Sequence, residues 1–137
     1  MKHLLMTLGA LLTLAGCSDT VHGTEYAEPT VAGFRDMMNA GQFEKIYESA
    51  APEFRAAISR EDSVALFSAV NRKLGKLEHA EKVSWNVNTR NMTTLVVLVY
   101  RSKYHDGEAT ETFTVKVDDG KGAIIGYNIN SLAMLIR

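Results

Sequence analysis

The stretch from Thr94 to Gly120, TLVVLVYRSKYHDGEATETFTVKVDDG, decides the fold class. Thr94 to Tyr104 is rich in β-branched residues and apolar on both faces through Val99, the pattern of an interior strand. Asp106-Gly107 comes next, a pair suited to a two-residue type I′ hairpin turn. Glu108 to Val117 then alternates with period two, and Asp119-Gly120 offers a second hairpin turn.

Working outward, the same period appears on both sides. Upstream, Val83, Trp85 and Val87 alternate with Ser84, Asn86 and Asn88, a half-buried strand pattern beginning at about Glu81. Downstream, Ala123, Ile125, Tyr127 and Ile129 share one face, while Ile124, Gly126, Asn128 and Asn130 share the other. Before Glu81 the apolar period is close to 3.6. Pro29 suits a first helical position, and Val31, Phe34 and Met38 form a stripe that Gly41 ends. Phe43, Ile46, Tyr47 and Ala50 line a second helix, and Pro52 restarts the chain toward Phe54 and Ile58. Ser59-Arg60-Glu61-Asp62 resembles a capping box with Asp in place of Glu or Gln. It opens a helix whose stripe is Val64, Phe67, Val70, Leu74 and Leu77. The expected fold class is α+β, with N-terminal helices packed on a four-stranded antiparallel sheet.

The N-terminus belongs to neither half. Lys2 precedes an apolar run, Leu4 to Ala15, which falls short of the ~20 residues that cross a bilayer core. The run has the length and small-residue ending of a secretory signal. Leu14-Ala15-Gly16-Cys17 resembles the lipobox of bacterial lipoproteins and holds the only cysteine of the chain. The resemblance implies cleavage before Cys17, a diacylglycerol on its thiol, and an acyl chain such as palmitate on its new amino group. Two or three chains anchor a protein stably where one does not. Ser18 stands where Asp would favour the inner membrane of a Gram-negative cell, so the expectation is the outer membrane, facing the periplasm. The division follows: a signal peptide at 1–16, a lipidated cysteine and polar linker at 17–28, and one α+β domain at 29–137. His22 falls in that linker and reads as solvated.

The segments DGEATETFTV and GAIIGYNINS resemble the C-terminal hairpin of small bacterial lipoproteins with a domain of unknown function. Those proteins are placed in the nuclear transport factor two-like, cystatin-like superfamily. The matching positions are Gly107, Ala109, Glu111, Phe113, Gly126, Tyr127, Ile129 and Ser131, within a similarity spanning Val31 to Ser131. The resemblance implies a curved, cone-like sheet wrapped on a long helix, often around a pocket. Some members of that superfamily bind apolar ligands, some catalyse isomerisation or dehydration, and some dimerise through the sheet.

Glu111 is the residue of most chemical interest. Period two places it on one face with Ala109, Phe113 and Val115, where an unpaired carboxylate would be costly. It is either a pocket acid, base or ligand anchor, or a structural partner for an Arg, Lys or Tyr hydroxyl that ties sheet to helices. The absence of a second evident catalytic group favours the structural role. Tyr100, Tyr127 and Tyr47 complete the candidate pocket, each able to send a hydroxyl inward. Asp36 reads as part of a solvated helix face. His79 and His105 lack partners at metal-ligand spacing, so no metal and no cofactor is expected.

Net charge is −1 and the basic residues are dispersed, which argues against nucleic acid. Charge nonetheless divides along the chain: Asp19 to Asp62 holds nine acids and four bases, Arg72 to His105 seven bases and two acids. This describes mixed solvated faces, or a basic sheet surface that meets an acidic partner or lipid headgroups. The expected function is a lipid-anchored, non-enzymatic binding or accessory role toward a partner protein or small apolar ligand, with a dimer through the sheet as a further option. The alternative is a cone-pocket enzyme of isomerase or dehydratase type using Glu111 with a tyrosine.

Overall fold

The computed structural model describes residues 22–136. The signal peptide, Cys17 and the first residues of the linker lie outside them, as does the side chain of His22. Four helices and then four strands follow the expected order, and a short helix not expected from the sequence comes after them: α1 His22–Asn39, α2 Phe43–Ser49, α3 Pro52–Ala57, α4 Arg60–Leu74, β1 Leu77–Arg90, β2 Thr93–Tyr104, β3 Gly107–Asp118, β4 Lys121–Asn130 and α5 Leu132–Leu135. The strands form one antiparallel sheet in the order β1-β2-β3-β4, and α1 packs across it.

Packing follows the stripes. Val31, Phe34 and Met38 are buried on α1, and Phe34 meets Phe67 and Phe113 edge to face at centroid distances of 5.4 and 5.1 Å. Val96, Leu98, Tyr100, Ser102 and Tyr104 turn the inner face of β2 toward α1, joined by Ala109, Glu111, Phe113 and Val115 from β3. Ser59 caps α4, its hydroxyl accepting from the Asp62 N–H at 3.0 Å.

Several sequence readings need correction. Helix α1 begins at His22 rather than at Pro29, so residues read as linker are helical and Pro29 lies inside the helix. Ala27 is fully buried, and that contact carries the helix back past the proline. Leu77 opens β1 instead of closing α4, because Gly75 at φ +73° turns the chain out of the helix. On α4 the buried stripe begins at Ser63, not at the half-buried Val64. Val83 and Trp85 were expected to face the core yet are 45% and 58% exposed. Strand β1 is a sheet edge carrying no fully buried residue, and a bulge between Lys82 and Ser84 shifts its register. A second bulge, opposite Thr114 and Val115, swaps the faces of β4: Ile124, Tyr127 and Ile129 point inward, and Ile125 is the extra residue.

The turns also differ. The β2–β3 turn is His105-Asp106, with Gly107 already paired to Tyr104. Its N–H groups donate to α4 and the following bend, His105 to the Lys76 carbonyl at 3.0 Å and Asp106 to that of Leu74 at 2.9 Å. Gly107 answers a lack of space there, since a Cβ would stand 2.8 Å from Ala133 Cβ. The type I′ signature appears instead at Asn91-Met92 (φ 50° and 66°), a third hairpin turn unforeseen from the sequence, and at Asp119-Gly120 (φ 47° and 71°).

Candidate functional site

Glu111 lies at the middle of the inner sheet face and is 0% exposed. Antiparallel register sets Tyr100 directly across from it on β2 and Ile129 across from it on β4. Its Oε1 accepts from the Tyr104 hydroxyl at 2.7 Å and the Tyr127 hydroxyl at 2.8 Å. Its Oε2 accepts from the Ser102 hydroxyl at 2.5 Å and from Arg35 Nη2 at 3.5 Å. Four donors match the roughly four lone-pair sites of a carboxylate. The carboxylate's partners all come from within the fold, and it clamps α1, β2, β3 and β4 together. Burial, with the Glu111 charge behind it, pushes the Tyr104 and Tyr127 hydroxyls far above the ordinary tyrosine range.

Arg35 connects this buried cluster to the surface. Its guanidinium lies 4.1 Å from the centre of the Tyr100 ring and 5.5 Å from that of Phe113, and its side chain is 17% exposed. Its Nε is buried without a hydrogen-bond partner. Above Arg35 runs an open groove of about 720 Å³ between α1 and the sheet. Glu25, Glu28, Ala32, Arg35 and Asp36 line its helical wall, and Leu77 and Tyr100 line the sheet side. Glu28 is ion-paired with Lys82 of β1, whose ammonium stands 5.3 Å from the Trp85 ring.

The candidate tyrosines thus divide three ways. Tyr127 contacts Glu111 directly. Tyr100 reaches it through Arg35 and borders the groove. Tyr47 lies apart on α2, donating to the Arg55 carbonyl at 3.3 Å with Arg60 near its ring. Arg35, Ser102 and Tyr104 escaped the sequence reading. For the two β2 residues a signal exists, since they follow Tyr100 at i+2 and i+4 and so share its face. Arg35 sends no such signal, being one cation on a helix flanked by Asp36. Asp36 itself borders the groove. Among the described residues no group of three His, Cys, Asp or Glu side chains could hold a metal ion, and no helix is long and apolar enough to cross a membrane.

Residues 1–18 match the prokaryotic membrane lipoprotein lipid attachment site, which makes this a lipid-anchored protein of the cell envelope. The domain behind the anchor is α+β, four helices leading into an antiparallel sheet. Residues 32–127 match the family described as protein of unknown function (DUF4019), and the chain belongs to that family. None of the curated proteins matches the chain. A solved structure, the solution structure of RPA3114, a SEC-C motif containing protein from Rhodopseudomonas palustris, is similar at 13% identity and a TM-score of 0.38. That likeness covers 68% of this chain and 70% of the other and carries no inference about function.

Proposed function

We propose that this protein is a non-enzymatic accessory subunit of the bacterial envelope, acylated on Cys17 and held at the outer membrane facing the periplasm. In this reading it receives a basic or polar segment of a partner protein in the groove beside α1. The groove carries the proposal: an open channel lined by the exposed Asp36 together with Arg35, Asn39 and Tyr100 offers polar partners to a peptide segment and suits it better than a small apolar ligand. The match at residues 1–18 supports acylation of Cys17, and Ser18 supports the outer membrane. The order of helices before sheet supports a nuclear transport factor two-like placement with α1 as the long helix. The groove does not extend the Glu111 cluster into a reaction centre. Catalysis by Glu111 with Tyr104 or Tyr127 would need substrate to reach a carboxylate that is fully enclosed.

Site-specific photo-cross-linking in cells separates the readings. A photoreactive side chain at Ala32, in the groove, should capture a discrete partner, and charge reversal by Asp36→Lys should abolish the adduct. A probe at Lys103, on the open outer face of the sheet, should not capture it. Capture from Lys103 alone would refute the groove reading, and self-adducts from that position would reveal a dimer through the sheet.

A further inference from the structure

The start of helix α1 and one end of the sheet lie on the same side of the domain. Helix α1 starts beside the β1–β2 hairpin: a Cβ on Gly23 would stand 2.9 Å from Val87 and 3.1 Å from Val96. The far end of the helix is tied to the start of β1, where the Leu77 N–H donates to Asn39 Oδ1 at 3.1 Å. The N-terminus of α1 therefore points toward the Asn91-Met92 turn. Val87 and Val96 are partners in the ladder, three pairs from its last pair, Arg90 and Thr93, so the turn lies roughly 10 Å beyond them. Cys17 precedes His22 by five residues, a reach of at most about 18 Å.

The apolar side chains at that end are only partly used by the fold. Met92 is 95% exposed at φ +66°, a turn position where glycine would be relaxed and where its side chain finds no packing. Leu95 and Tyr26, 37% and 38% exposed, flank the same end, Tyr26 lying against Gly120 of the neighbouring turn. Arg90 and Lys121 are balanced there by Asp118 and Asp119, so the surface carries no net attraction for anionic headgroups. From this placement we infer that the Met92 tip, with Leu95 and Tyr26 beside it, seats in the interfacial layer of the lipid membrane that holds the anchor. The domain then stands on its β1–β2 turn with His105-Asp106 farthest from the bilayer. This rests on acylation of Cys17.

The mature, acylated chain in vesicles of phosphatidylethanolamine and phosphatidylglycerol provides the test. With Cys17 acylated, Met92→Cys creates the one free thiol, and His105→Cys does so at the opposite turn. A nitrobenzoxadiazole label at position 92 should shift its emission to the blue and be quenched by lipids spin-labelled near the headgroup. A label at 105 should show neither effect, and high salt should leave both unchanged. Equal exposure of the two labels on vesicle-bound protein would overturn the inference, as would quenching at 92 that disappears in high salt. If wild-type protein floats free of the vesicles and mass spectrometry finds Cys17 unmodified, the acylation reading fails first and this one falls with it.

Discussion

At the scale of single residues, Glu111 is a carboxylate whose partners decide its role. Removing it by Glu111→Ala would leave Arg35 and three hydroxyls facing an enclosed space, at a cost of about 3–5 kcal/mol. Glu111→Gln keeps one acceptor oxygen and should cost less, and neither variant should change cross-linking from the groove if the protein still folds. Urea denaturation of both measures the difference. Tyr104 and Tyr127 add a dependence on alkaline pH. Burial first, then the Glu111 charge, raises both above the ordinary tyrosine value of 10.0. Above about pH 10 the unfolded chain therefore releases protons that the folded chain retains, and stability falls as pH rises. The expected slope is up to about 1.4 kcal/mol per pH unit for each tyrosine. Tyr104→Phe should flatten it, a change that denaturation series at pH 9 to 11, about one unit either side of that value, would detect.

At the scale of elements, turns and bulges separate what local pattern can reveal from what it cannot. Asp119-Gly120 forms the turn its residue types favour. Asp106-Gly107 offered the same types, yet the turn moved one residue upstream to His105-Asp106, whose N–H groups find acceptors on Lys76 and Leu74, while α5 leaves no room for a side chain at Gly107. The bulge at Ile125 is invisible to a period-two reading, because one inserted residue exchanges every face beyond it. Asn91-Met92 formed a hairpin turn although Met is poorly suited to φ +66°. Met92→Gly should accordingly stabilise the domain by about 1 kcal/mol while lowering membrane contact of the tip. Thermal denaturation beside the fluorescence assay would reveal both changes. A loss of stability would mean that Met92 has packing partners in the fold after all.

At the scale of the whole molecule, address and architecture were legible in the sequence, and the site was only half so. The lipobox order around Cys17 and the change of period near residue 80 are local patterns, and local patterns suffice for an attachment site and for helices before a sheet. Glu111 stood out because alternation placed a charge among apolar neighbours. Its function did not, since Arg35 lies 76 positions away and only the passage of α1 over the sheet brings the two together. The groove and the exposure of Trp85 and Met92 depend likewise on which surfaces the helices leave uncovered. The sequence by itself determined the anchor, the order of elements and most of the core, because each rests on spacing along the chain. Tertiary structure alone decided that Glu111 is a filled clamp beneath an open groove of mixed charge, because hydrogen-bond partners and cavities arise between segments that spacing does not connect.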